Sequence, residues 1–93
     1  MCFAYILYSP SRDKYYIGST CDTLTERIRK HNTKHKGFTG GYGDWTLVHS
    51  EPYPNVILAR KRENEIKGWK SRKMIEALIA KSSRTNNDLE HPD

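Results

Sequence analysis

The stretch "KYYIGST" (residues 14–20) decides the fold together with "FAYILY" (residues 3–8), from which a turn-forming segment separates it. Aromatic and aliphatic residues favour strands, and the Ser, Pro and Asp residues between the two stretches favour a turn. The pattern therefore predicts a β-hairpin. Because side chains alternate along a strand, Tyr5 is expected to share one face with Tyr16 and Gly18.

Length and composition predict one small basic domain. The chain has 93 residues, 35% hydrophobic and 29% charged, which is enough apolar material for one small core. We assign this domain to residues 1–80 and expect residues 81–93, with one aliphatic side chain, to form a flexible tail. A net charge of +5 makes a polyanion the default partner, although a merely soluble basic protein has the same charge.

The cysteines and the N terminus favour a cytoplasmic protein. Cys2 and Cys21 belong to no CxxC pair and no Cys/His array with zinc spacing, so neither a disulfide framework nor a structural metal site is expected. The first residues lack the basic region of a signal peptide, and Pro10 interrupts them. No apolar run approaches the ~20 residues that span a bilayer, which disfavours membrane insertion.

The first predicted helix has a half-polar stripe. It begins with the capping-box sequence "TLTE" (residues 23–26) and is expected to reach about Lys34. Continuing its apolar residues at i, i+3, i+4 and i+7 brings in Arg27 and His31. These two side chains lie one helical turn apart, and they either belong to a site or form a solvated helix surface.

The second half of the chain predicts a third strand and two further helices. After a glycine-rich loop, "WTLVHSE" (residues 45–51) alternates well enough for a strand. Asn55 is placed to cap a helix that runs to about Lys67 and ends at Gly68. Ser71 is placed to cap a last helix, which is expected to reach about Ala80.

A carboxylate occupies a core-like position of the second helix. Val56, Ala59 and Ile66 share one stripe, and Glu63 continues it. Burying an unpaired carboxylate is costly, so Glu63 is expected to be solvated in a cleft, paired with a cation or bound to a metal. The plain alternative is a weak pair with Lys67, one turn further along.

The stretches that carry the candidate site residues resemble a known family. These five residues are Tyr5, Tyr16, Arg27, His31 and Glu63. These stretches are "FAYILYS", "KYYIGST", "LTERIRKHN", "WTLVHSE" and "ARKRENEIKGWKSRKMIEALI", between residues 3 and 79. Their order and content resemble the GIY-YIG nucleases, specifically the small single-domain, UvrC N-terminal-like type. The resemblance implies an α+β fold, with a small three-stranded antiparallel sheet flanked by helices in the order β-β-α-β-α-α.

The same resemblance implies roles for the five residues. Tyr5 matches the tyrosine of the family's first motif, although "FAY" replaces GIY, and Tyr16 matches the tyrosine of YIG. Arg27 and His31 match the R-x-x-x-H of the first helix. Glu63 matches the glutamate that binds one divalent metal ion, Mg2+ or Mn2+. A supporting asparagine found late in many members is not assigned here.

The chemistry of phosphodiester hydrolysis suits these residue types. The anionic oxygens of a phosphodiester repel nucleophiles, so Arg27 and a metal on Glu63 would neutralise the developing charge. By resemblance, Tyr5 takes the role of a base and Tyr16 hydrogen-bonds the nucleophile or a metal-bound water. These two roles are exchangeable, and His31 is able to share the proton transfer. Considered alone, each tyrosine is more commonly a packing residue of a strand.

The basic side chains offer contacts to DNA phosphates. Such contacts position a duplex without reading its sequence, although each cation is equally well explained as helix surface charge. At Gly18, the missing side chain would let a phosphate approach the backbone, unless the glycine only serves the strand. The candidate DNA-binding residues are Lys34, Lys36, Arg60, Arg62, Lys67, Lys70, Arg72 and Lys73.

Together these features predict a metal-dependent endonuclease that hydrolyses DNA phosphodiester bonds, in DNA repair or recombination. No membrane and no small-molecule cofactor is expected as a partner. The first alternative is a nucleic-acid-binding module that keeps the nuclease fold without cleaving. A protein-interaction domain is the second alternative, which the basic charge disfavours.

Overall fold

A computed structural model describes the backbone of residues 1–33 and 43–90 and the side chains up to residue 82. The predicted fold class and element order are confirmed. Within the described ranges, no helix is long and apolar enough to cross a membrane. The elements are β1 (Cys2–Ser9), β2 (Lys14–Thr20), α1 (Leu24–Asn32), β3 (Thr46–Tyr53), α2 (Val56–Trp69) and α3 (Arg72–Glu90).

The sheet has β1 at its centre, in the order β2-β1-β3, and both pairings are antiparallel. In the hairpin, Tyr5 lies opposite Gly18 and Leu7 lies opposite Tyr16. Directly opposed residues of an antiparallel pair point to the same face. The predicted hairpin and the shared face of Tyr5, Tyr16 and Gly18 are therefore confirmed.

One face of the sheet carries an aromatic core beneath α1. Tyr5, Leu7 and Trp45 are buried together there. Leu24 and Ile28 of α1 pack against this cluster, which explains the short apolar stripe of that helix. The polar members of the stripe consequently lie beside the core tyrosine rather than in open solvent.

The other face is covered by α2. Ala4 and Ile6 of β1 point to this face and are buried, as are Ala59 and Ile66 of α2. Val56 was predicted on the same inward stripe but is 40% exposed; it is the first residue of the helix. The sheet therefore separates α1 from α2.

The predicted helix starts are confirmed by their caps. The Oγ atoms of Thr23 and Ser71 accept hydrogen bonds from the N–H groups three residues later, over 3.2 Å in both cases. The Oδ1 atom of Asn55 accepts in the same way over 3.0 Å. Only half of the capping box forms at α1, because the carboxylate of Glu26 bonds Arg29 instead.

Two predicted helix ends are wrong. The second helix does not stop at Gly68 but continues to Trp69, and Lys70 caps it in the left-handed conformation with φ 49°. The guanidinium of Arg62 lies 5.5 Å from the centre of the Trp69 ring, a contact that the two additional helical residues make possible. The last helix runs to Glu90 instead of Ala80, since no glycine or proline interrupts residues 81–90.

A disulfide bond joins Cys2 to Cys21, so the prediction that excluded disulfides is wrong. The antiparallel hairpin register pairs Phe3 with Thr20. Cys2, directly before Phe3, and Cys21, directly after Thr20, therefore lie close together. Sequence spacing does not reveal this proximity, because the two cysteines are 19 positions apart. The bond ties the connection before α1 to the central strand.

Candidate active site

The hydroxyl of Tyr5 is the centre of a hydrogen-bonded cluster. Its oxygen accepts a hydrogen bond from Arg27 Nε over 3.2 Å. The Tyr5 oxygen also lies 3.0 Å from His31 Nε2, and both Tyr5 and His31 are buried. A phenol has one hydrogen, so when His31 Nε2 is unprotonated the Tyr5 hydroxyl donates to it.

The surroundings of Tyr5 keep its phenol protonated at neutral pH. Burial raises its pKa above the ordinary value of 10.0, and the positive charge of Arg27 offsets only part of this effect. The phenol oxygen in turn raises the pKa of Arg27, so this residue is a permanent cation. Tyr5 can act as a base only when another group removes its proton or adds positive charge nearby.

Tyr16 lies against the same cluster through ring contacts. Its ring centre is 4.7 Å from that of His31 and 6.4 Å from that of Tyr5. The Trp45 ring lies 6.3 Å away on the core side. The structure thus brings together four of the predicted site residues, from β1, β2 and α1.

Gly18 makes room for the Tyr5 phenol. A Cβ atom at this position would lie 2.6 Å from the Tyr5 hydroxyl oxygen and 3.0 Å from Cε2 of Tyr16. Cβ atoms essentially never lie within 3.0 Å of another non-bonded heavy atom, so no larger residue fits without moving the phenol. The absence of a side chain is explained by this packing, whereas the approach of a phosphate remains a prediction.

Glu63 is held at the edge strand β2, on the face of the sheet opposite the tyrosine cluster. Ser19 Oγ donates a hydrogen bond to Glu63 Oε1 over 2.6 Å, and Lys67 Nζ donates to Glu63 Oε2 over 2.5 Å. Ser19 lies opposite Ala4, so Glu63 approaches β2 from the α2 face of the sheet. Its charge still reaches Tyr5, where it contributes to the raised pKa.

Two residues near the site were missed by sequence reasoning. Ser19, which fixes Glu63, reads as an ordinary strand residue. Asn32 clamps the end of α1 to the start of β3: its Oδ1 accepts from the backbone N–H of Trp45 over 2.7 Å, and its Nδ2 donates to the Trp45 carbonyl over 3.0 Å. The sequence signal for Asn32 was its position directly after His31, at the end of the first helix.

The basic residues predicted to bind DNA differ in their surroundings. Arg72 is engaged by Asp13 and Glu76, and Arg62 by Glu51, so these guanidinium groups stabilise the fold. Lys67 is engaged by Glu63, as described above. Lys34 and Lys36 lie outside the described residues. The remaining predicted cations, Arg60, Lys70 and Lys73, are exposed.

The donor set around Glu63 fits a weakly held hard cation. Among residues 1–33 and 43–82, no three His, Cys, Asp or Glu side chains come together as a metal cluster. Mg2+ is commonly held by one or two carboxylates, with water and substrate phosphates completing its coordination. The Lys67 ammonium already places a positive charge on Glu63, which shows that a cation is accommodated there.

The fold and the arranged tyrosines, arginine, histidine and glutamate define the class of GIY-YIG catalytic domains. A profile of the GIY-YIG catalytic domain matches residues 1–76, and the chain belongs to this family. Membership implies a nuclease-type function with DNA as substrate, and nucleases of this family are generally dependent on divalent metals.

A solved structure is also similar to this chain. It is the solution NMR structure of a UPF0213 protein from Bacillus halodurans, with 30% sequence identity and a TM-score of 0.54. The similarity covers 86% of this chain and 84% of the Bacillus protein. No curated protein sequence matches the chain.

Proposed function

We propose that this protein is a metal-dependent endonuclease that hydrolyses phosphodiester bonds in DNA, with a role in repair or recombination. The observation that carries the proposal is the bonded series Arg27, Tyr5 and His31 on α1 and β1, with Glu63 held by Ser19 of the neighbouring strand β2. An arginine, a phenol with a proton acceptor and a carboxylate are the groups that this hydrolysis requires.

Arg27 and Glu63 divide the electrostatic work. The Arg27 guanidinium stabilises the negative charge that develops on the phosphate during in-line attack. Glu63 would hold a divalent ion, which would supply further charge neutralisation and lower the pKa of a bound water. Because Ser19 fixes Glu63, the carboxylate needs little reorganisation before it serves this role.

The proton of the attacking water has a route through the cluster. His31 accepts the Tyr5 proton, and the resulting phenolate beside Arg27 takes the proton of the water. The raised pKa of Tyr5 disfavours the phenolate, and the positive charge of a divalent ion held by Glu63 would favour it. Tyr16, whose ring lies against His31, orients the water, and its role and that of Tyr5 remain exchangeable.

DNA is held mainly through its phosphates. Arg60, Lys70 and Lys73 are exposed on α2, its cap and α3, and cations of this kind exchange with condensed counterions of the duplex. Affinity is therefore expected to fall steeply as salt is raised. Binding to a protein partner that ignores salt would support the interaction-domain alternative.

The test is a panel of DNA substrates that includes branched and damaged duplexes, incubated with Mg2+ or Mn2+. Wild-type protein is expected to nick or cut at least one substrate, and Glu63→Ala is expected to abolish cutting while most binding persists. Glu65→Ala is the matched control, since it removes an exposed carboxylate from the same helix. Binding without any cleavage by wild type would favour the non-catalytic module.

The adjacent tyrosines provide a second comparison within the same assay. Tyr16→Phe is expected to reduce cleavage far more than Tyr15→Phe, because only Tyr16 lies against His31. Tyr15 points to the other face, where its hydroxyl donates to Glu76 over 3.2 Å. Equal cleavage by both variants would remove Tyr16 from the chemistry.

A further inference from the structure

Both oxygens of the Glu63 carboxylate are engaged, and one partner is a cation. Oε1 accepts from the Ser19 hydroxyl of β2, and Oε2 accepts from the Lys67 ammonium one helical turn away. The Glu63 side chain is 14% exposed, whereas that of Lys67 is 49% exposed. The carboxylate is thus enclosed, and its ammonium partner reaches it from solvent.

We propose that Lys67 is the resident cation of Glu63 and competes with the divalent ion, while Ser19 positions the carboxylate for either cation. This inference rests on the proposed function, because it concerns the metal site of the nuclease. The two residues have opposite effects on metal affinity. Lys67 occupies the cation position and weakens metal binding, whereas Ser19 holds the carboxylate in place and strengthens it.

The chemistry of the two side chains supports the assignment. A lysine ammonium is a compact point charge on a flexible stem, so it reproduces the charge of a metal ion without its coordination geometry. Because the ammonium of this i, i+4 pair is half exposed, the pair is weak, and Lys67 is therefore displaced readily by a dication. The Ser19 hydroxyl carries no charge and leaves the remaining lone pairs of the carboxylate available.

Opposite changes in metal affinity follow from the two roles. Lys67→Met keeps the aliphatic stem and removes the competitor, so Mn2+ should bind about two- to fivefold more tightly, the range expected from the strength of exposed ion pairs. Ser19→Ala frees the carboxylate and should weaken binding. Ser19→Thr keeps the hydroxyl and should keep the affinity near that of wild type.

The experiment is a Mn2+ titration of the full chain without DNA, followed by the electron paramagnetic resonance signal of free Mn2+. Glu63→Gln should lose the site. Lys61→Met is the charge-matched control, because it removes an exposed ammonium from the same helix and should leave the affinity near that of wild type. Circular dichroism of each variant separates loss of the site from loss of the fold.

The results separate this inference from the proposed function. Tighter binding by Lys67→Met than by Lys61→Met, with weaker binding by Ser19→Ala, supports the inference. If Glu63→Gln removes the site but Lys67→Met fails to tighten it, only the inference is overturned. If no variant and no wild-type sample binds Mn2+, the metal site of the proposed function falls as well.

Discussion

At the scale of single residues, Tyr5 is both a core side chain and a functional group. It is 1% exposed within the aromatic cluster, yet its hydroxyl bonds Arg27 and His31. Local sequence gives no reason to separate these roles, since a strand tyrosine is commonly a packing residue. The structure shows that the phenol cannot move without disturbing both the core and the cluster.

Gly18→Ala tests this tight packing. The added methyl group would meet the Tyr5 hydroxyl, which is fixed between Arg27 and His31, so we expect a loss of about 1–3 kcal/mol of unfolding free energy. Gly68→Ala is the matched control: its Cβ meets nothing within 4 Å. Inside α2 that change should stabilise by about 0.5–1 kcal/mol.

Urea denaturation of both glycine variants measures the difference. Opposite shifts of the two midpoints, with an unchanged slope, are the expected result. Gly18→Ala as stable as wild type would show that the Tyr5 phenol is not confined as the structure indicates.

At the scale of elements, α1 is tied to the rest of the fold near both of its ends. The disulfide from Cys21 reaches Cys2 on β1 before the helix begins, and Asn32 clamps Trp45 at the end. Between these two connections lie the arginine and the histidine of the cluster. A short helix of 9 residues with few apolar side chains is thereby held in one position.

The disulfide is expected to contribute measurably to stability. Closing a loop of this length removes conformational entropy from the unfolded chain, worth about 3 kcal/mol in the chain-entropy model. A reducing agent should therefore lower the unfolding midpoint of wild type. The double variant Cys2→Ser/Cys21→Ser should have about the midpoint of reduced wild type. Its midpoint should be the same with and without the reducing agent.

Thiol titration in denaturant provides the independent check on this bond. Unreduced protein should present no reactive thiol, and reduced protein should present two, since the chain contains two cysteines. Two reactive thiols before reduction would contradict the disulfide.

At the scale of the whole molecule, burial and hydrogen bonds shift the pKa values of several groups in directions that favour the folded state near neutral pH. Burial acts to raise the pKa of Glu51, but hydrogen bonds from His49, Tyr53 and Arg62 outweigh it, so the pKa is lowered. The guanidinium of Arg72 lowers the pKa of Asp13. The pKa values of four tyrosines are raised, those of Tyr5, Tyr8, Tyr15 and Tyr53.

Stability should consequently fall at both ends of the pH range. Below about pH 4 the unfolded chain takes up protons that the folded carboxylates resist, so their stabilisation is lost. Above the ordinary tyrosine pKa of 10.0, the unfolded chain releases phenol protons that the folded chain retains, and stability falls again. Thermal unfolding followed across this range should show a plateau between the two limits; a maximum at either extreme would contradict it.

Much of the fold was predictable because its signals are local. The hairpin, the order of elements and the caps at Thr23, Asn55 and Ser71 depend on neighbouring residues, and the structure confirms them. The predicted end of the second helix failed although Gly68 is a good local stop signal. The helix continues to Trp69, whose ring contacts Arg62 two turns earlier in the same helix.

The sequence alone determined the candidate residues of this protein and the elements that carry them, since periodicity and motif spacing are properties of neighbouring positions. Only the tertiary structure decided which of them meet. Tyr5 bonds His31 across 26 positions, and Ser19 bonds Glu63 across 44, while the sheet places Glu63 on the face opposite Tyr5. Such pairings depend on strand register and helix docking, which no local spacing encodes.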